Sequence, residues 1–211
     1  MVFISRENAA DILTARQAPA AFCESGDTVI FETRDCYDDN DITEENPLGT
    51  KGEKLENPST GPLFVEGAWP GALLSVGDLH ALMGDGETGI CGLETAGEVT
   101  VQVTVIKEAE KRKNPEEFRI FQAMRGALPL LAEGGQLMTI QSAETLDQAA
   151  FLAANRMREL AAAASGMDLV NSGMAMSLLG DLAVCQIVNP LKTVRCQFPL
   201  EVLARYGFCL D

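Results

Sequence analysis

One histidine, His80, and one tryptophan, Trp69, stand in 211 residues. A single histidine excludes a site with several imidazole ligands from one subunit. It also forces any Ser-His-Asp or Cys-His mechanism through His80. Positive charge is scarce: Lys plus Arg is 16 and Asp plus Glu is 31, so 16 − 31 = −15. So negative a chain argues against nucleic acid, whose phosphates need a basic stripe. It argues equally against an anionic membrane surface. No apolar run approaches the ~20 residues of a spanning helix. Met1–Glu7 has neither the basic start nor the apolar core of a signal peptide. The expectation is an acidic cytoplasmic protein.

No two of the six cysteines, Cys23, Cys36, Cys91, Cys185, Cys196 and Cys209, make a C-x-x-C pair. That removes the commonest zinc and redox spacing. Free thiols are expected, with Cys23, Cys185, Cys196 and Cys209 acting as small apolar side chains.

The first half reads as strands. Asp27–Thr33, Gly61–Gly67 and Gly71–Gly77 are short apolar runs between turn residues. The clearest is Gly97–Ile106, where Val99, Val101, Val103 and Val105 alternate with Thr100, Gln102 and Thr104. Between them Asp35–Glu56 carries eight acids against two lysines and two Asn-Pro pairs nearby, and reads as a long loop. It lacks the glycine and final glutamate of a calcium-binding EF-hand loop.

The second half changes character. Glu108–Glu117 reads as exposed turn and Glu117–Met124 as a short helix. Ser142–Ala164 carries an apolar stripe at Leu146, Ala149, Ala150, Ala153, Met157 and Leu160, with Ser142 or Thr145 as cap and Gly166 as stop. Met167–Leu182 reads as a second helix, its methionines as core filler. Leu137–Gln141, Ala183–Val188 and Thr193–Phe198 read as strands. This order predicts one β-rich α+β domain over residues 1–211: an antiparallel β-sandwich with two packed helices in its C-terminal half.

The densest polar text is Gly77-Asp78-Leu-His80-Ala-Leu-Met-Gly84-Asp85-Gly86-Glu87. Three carboxylates and the one imidazole lie within ten residues, after an apolar strand. Asp78 and His80 share a face if the strand continues unbroken. Gly84 and Gly86 permit tight turns that return Asp85 and Glu87 towards them. Such a set suits a divalent ion, or a carboxylate base beside an electrophile. It equally suits a Gly-rich hairpin with solvated acids.

That segment resembles the signature of the acetamidase/formamidase family. Gly92-Leu-Glu94-Thr-Ala-Gly-Glu98-Val-Thr-Val101 is similar to the family's next block, and Asn57-Pro-Ser-Thr-Gly-Pro-Leu-Phe-Val-Glu-Gly67 to an upstream one. Met138-Thr-Ile, Ala143–Asp147, Leu178–Leu182, Cys185–Val188 and Asn189–Thr193 are similar to its C-terminal blocks. The chain departs from the family between about residues 67 and 72. A large central block with a His-Gly-Gly-Asn-Met-Asp segment is absent there, and Gly67-Ala-Trp69-Pro-Gly71 runs straight into Ala72-Leu-Leu-Ser-Val-Gly77. Trp69 is expected to cover this junction.

The resemblance implies hydrolysis of a short amide, formamide or acetamide, with a divalent metal: zinc, or alternatively calcium. It implies Asp78 and His80 as metal ligands and Glu87 or Asp85 as proton carrier. Backbone N–H groups at Gly84 and Gly86 would hold the oxyanion, with Glu94 at the substrate. A third ligand would come from Asp85, Glu94, the acidic loop or a neighbouring subunit. Cys91 is the one thiol near this cluster for a cysteine amidase. The absent block leaves a second function class open: a shortened, non-catalytic relative serving binding or assembly. Surface once covered by that block predicts a homodimer.

Overall fold

The structure is a computed structural model that describes residues 1–14, 16–35, 43–45, 58–69, 72–81, 96–188 and 190–208, the side chains of 78–81 excepted. Contacts divide it into two compact units, one from residues up to Lys107 and one from Glu108 onward. Each has its own buried cluster.

The first unit is all β. Its strands are β1 (Val2–Ile4), β2 (Ala9–Ala10), β3 (Ala21–Cys23), β4 (Thr28–Thr33), β5 (Ser59–Thr60), β6 (Leu63–Val65), β7 (Leu73–Ala81) and β8 (Gly97–Ile106). Four form one sheet in the order β1-β4-β8-β7, while β2–β5 and β3–β6 are two-stranded. β8 organises the sheet. Val101, Val103 and Val105 are buried while Gln102 is exposed and Thr104 half-buried between them, as the alternation predicts. Val29 of β4 lies opposite Val101 and Phe31 opposite Val99. The β3–β6 ribbon contributes Cys23, Leu63 and Val65 to the cluster that buries this face. The result is two β layers, largely antiparallel, with parallel pairings at β1–β4 and β3–β6.

The second unit is a sheet covered by helices. Its elements are α1 (Glu108–Lys111), α2 (Pro115–Ala127), β9 (Leu130–Glu133), β10 (Gln136–Ala143), α3 (Leu146–Ser165), α4 (Leu169–Leu179), β11 (Asp181–Gln186), β12 (Lys192–Pro199) and α5 (Leu200–Ala204). The sheet order β11-β12-β10-β9 is antiparallel throughout. α3 buries Ala149, Ala153, Met157 and Leu160 of the expected stripe, with Ala161 and Ala164 beside them, while Leu146 at its first turn is exposed and Ala150 half-buried. The buried side chains pack on Leu137, Cys196 and Phe198 of the sheet. Thr139 Oγ1 donates 2.8 Å to the Ala153 carbonyl, which ties helix to strand where no water reaches.

Caps decide where these helices begin. Thr145 accepts the Gln148 N–H at 3.2 Å, so α3 starts there, and Ser142 stays in β10 paired to Thr193 at 2.8 Å. Gly166 closes α3 with φ 73°, a left-handed conformation that glycine adopts at no steric cost. Asp168 caps α4 by accepting Val170 and Asn171 N–H groups at 2.9 and 2.8 Å. The expected second helix is therefore shorter than Met167–Leu182, because Gly180 ends it and Asp181 opens β11. α2 is longer than expected: Asn114 caps it and Pro115 opens it.

Three further expectations meet the structure here. Cys23, Cys185 and Cys196 are free. Of the α4 methionines, Met176 packs against the core but Met174 is 55% exposed. Trp69 is 76% exposed, which corrects its expected role as a cover.

Truncating Leu160 to Ala is expected to destabilise the chain by about 2–5 kcal/mol, the range for emptying a well-packed core site, measured by urea unfolding. Thr145→Ala is expected to cost about 1 kcal/mol through the lost cap. Burial, and then the charge of Asp181, push the Cys196 thiol up to about 11 from an ordinary 9.0. The unfolded thiol therefore loses its proton first. This contribution to stability is intact below pH 9 and declines as pH rises towards 11. Removing it with Cys196→Ala is expected to flatten the unfolding profile across that window.

Candidate functional site

The candidate site is read from sheet topology. β4 and β7 both pair antiparallel with β8, so they run in the same direction and end at the same edge of the sheet. β4 leaves this edge at Thr33, towards the acidic segment. β7 reaches it through Asp78 and His80, and β8 starts from it at Gly97. β5 is drawn to the same edge, since Thr60 Oγ1 donates 2.7 Å to the Glu32 carbonyl. Thus Thr60, the end of β7 with Asp78 and His80, and the start of β8 at Gly97 are brought to one end of one sheet. Strands are rigid supports, and an edge fed by several of them is a natural place for a site.

The register sets what each strand presents. Asp78 lies opposite Val101, in the row of Val29 and Val2. His80 lies opposite Thr100, in the row of Ile30 and Phe3. Only one step on β8 separates the two, so Leu79 is an extra residue and the pairing slips between Asp78 and His80. Such bulges recur beside active sites, where they re-aim the chain. The unbroken two-residue period assumed from the sequence is interrupted at this point.

Gly84, Asp85, Gly86, Glu87, Cys91 and Glu94 lie outside the described residues, as does most of the acidic segment. Among the described residues no group of three His, Cys, Asp or Glu is placed to hold a metal. The structure does add charged groups that sequence reasoning missed. Glu32 lies directly opposite Glu98 across β4 and β8. Opposed like charges destabilise a sheet, and such a pair at a strand end is a functional candidate. The Arg6 N–H donates 3.3 Å to Glu32 Oε2. Arg34, just after β4, donates from Nε to the Arg6 carbonyl at 2.8 Å and pairs with Glu7 at 3.0 Å. Its side chain is only 18% exposed, so the cation is fixed at this edge. Glu98 was visible in the quoted motif, but its opposition to Glu32 needs the strand register.

Comparison with known proteins agrees with this layout. The sequence profile of the Acetamidase/Formamidase family matches residues 61–125. A formamidase homologue of Schizosaccharomyces pombe is 44% identical over 55 residues, which are 25% of this chain and 13% of that protein. The solved acetamidase of Bacillus halodurans superposes with TM-score 0.80 at 27% identity, over 98% of this chain and 100% of that one. An acetamidase/formamidase of Thermoanaerobacter tengcongensis shares the fold at TM-score 0.79 and 19% identity, over 99% of both chains.

Replacing Glu98 by Gln is expected to raise stability by about 0.2–1 kcal/mol, by removing an opposed like charge. The midpoint of urea unfolding checks this; a lower midpoint would contradict it.

Proposed function

We propose that this chain, which belongs to the acetamidase/formamidase family, hydrolyses short linear amides to a carboxylate and ammonia. The observation that supports the reading is that β7, which carries Asp78 and His80, ends at the same end of the sheet as β4, where β8 starts at Gly97 within a family-like motif.

The residues are assigned by chemistry. Asp78 and His80 would hold a divalent ion; one imidazole with carboxylates suits zinc, and a carboxylate-rich set suits calcium. Two protein ligands are one short of the usual three in a hydrolytic zinc site, so Asp85 or Glu94 is the natural third. When bound, the ion polarises the amide carbonyl and lowers the pKa of water. Glu87, with Asp85 as alternative, takes a proton from the attacking water and returns it to the departing nitrogen. Backbone N–H groups at Gly84 and Gly86 hold the oxygen that becomes negative. Glu94 positions the amide nitrogen as hydrogen-bond acceptor. The sum is amide plus water giving carboxylate plus ammonium.

The absence of the family's His-Gly-Gly-Asn-Met-Asp segment favours a second reading, a relative that binds the amide without turning it over. One pair of variants separates the two. His80→Ala is expected to abolish both metal uptake and ammonia release. Glu87→Gln is expected to keep the metal, measured by elemental analysis, and to lose about 10²–10⁴ in rate, the usual share of a general base. Wild-type protein that binds the ion and an amide but releases no ammonia would establish the second reading.

A further inference from the structure

Strand β7 carries an apolar strip that the ribbon over its sheet leaves open. The register places Leu74 opposite Val105, Val76 opposite Val103 and Asp78 opposite Val101, so these three positions continue the valine face of β8. On β8 that face is closed: Val103 is 2% and Val105 7% exposed. One strand spacing away, about 4.8 Å, Val76 is 56% and Leu74 49% exposed. The cover ends between the two strands. The β3–β6 ribbon packs with β8, β4 and β1, and among the described residues β7 contributes no side chain to that cluster.

β7 is also the last strand in the order β1-β4-β8-β7. Outer strands are ordinarily blunted by charge or proline, because a bare apolar edge invites aggregation. Leu73-Leu74-Ser75-Val76-Gly77 has neither. The first charged residue is Asp78, the candidate metal ligand, and it stands in the same row as Leu74 and Val76. Measured along the strand, Val76 is about 7 Å and Leu74 about 14 Å from Asp78. Two side chains are too few for a protein interface, which takes roughly 20–30 residues a side. They fit an extended hydrocarbon chain, and their continuity with Asp78 says which one.

We propose that Leu74 and Val76 form an acyl subsite: the reacting carbonyl lies at the Asp78–His80 end of β7, and the hydrocarbon tail of the substrate lies back along the strand over Val76 and then Leu74. The proposal rests on the amide-hydrolase reading and names the substrate within it. That substrate is an unbranched aliphatic amide of roughly four to eight carbons, whose tail, at about 1.5 Å per bond, reaches Val76 and, at the longer end, Leu74. Formamide has no carbon to lay on the strip, and acetamide has a single methyl group. Hexanamide and water give hexanoate and ammonium, so the strip adds no chemical step. It adds binding. A tail on an open strip is sheltered on one side, so each methylene contributes about half of full burial, or about twofold in affinity. The tail lies away from the reacting bond and keeps its contacts in the transition state, so the gain is expected in KM and not in kcat.

Ammonia release from acetamide, hexanamide and octanamide by the ion-loaded chain tests this. In wild type, kcat/KM for hexanamide is expected to exceed that for acetamide about tenfold, through KM. Val76→Thr keeps a branched strand-forming side chain but adds a hydroxyl, and is expected to bring that ratio down towards one. Leu74→Thr is expected to lower the ratio of octanamide to hexanamide and to spare that of hexanamide to acetamide, because only the longer tail reaches Leu74. This second variant decides the matter if Val76→Thr fails to fold. A chain that handles acetamide as well as hexanamide overturns the proposal and leaves the amide-hydrolase reading standing. A folded Val76→Thr with the wild-type ratio overturns it as well. If no amide releases ammonia, the hydrolase reading falls and calorimetric titration with hexanamide and acetamide decides for the strip. Tighter binding of hexanamide, weakened by Val76→Thr, supports the subsite, and hexanamide that binds no better than acetamide overturns it.

Discussion

The first unit depends on the burial of one face of β8. Its valines must be covered, and a strand cannot slip by one residue without turning them to solvent. That requirement fixes β4 on one side and β7 on the other, with Val29 against Val101 and Val76 against Val103. Once both neighbours are antiparallel to β8, they leave the sheet at the same end. That Thr33 of β4, His80 of β7 and Gly97 of β8 lie at one end of the sheet thus follows from where the β8 valines go.

What could be read from the chain was whatever a period announces. The two-residue alternation of β8 and the 3.6-residue stripe of α3 span enough residues to be unambiguous, and both are found with their expected faces buried. β1, β3 and β9 escaped because three or four residues carry no period; β1 and β3 are held by partners far along the chain, β9 by a tight hairpin to β10. The start of α2 was hidden by the charged run before it, although Asn114-Pro115 is a sound cap. The family-like motifs singled out Asp78 and His80 as candidates. The slip in pairing between them is a property of two strands together, and no spacing in one strand displays it. The same holds for the opposition of Glu32 and Glu98.

The two units use burial in opposite ways. In the first, the buried valine face of β8 positions a polar edge. In the second, α3 sinks its stripe into the sheet with Thr139 as an internal tether, while α4 covers only part of what it could and keeps its own outer face apolar. Among the described residues no helix is long and apolar enough to cross a membrane.

The central claim is that the edge fed by β4, β7 and β8 supports amide hydrolysis. Release of ammonia from formamide and acetamide, followed with the purified chain before and after chelation and after restoring a divalent ion, tests it most directly. The account predicts ammonia and carboxylate in equal amounts, loss on chelation and recovery with the ion. A folded, ion-loaded chain that releases ammonia no faster than buffer would contradict it.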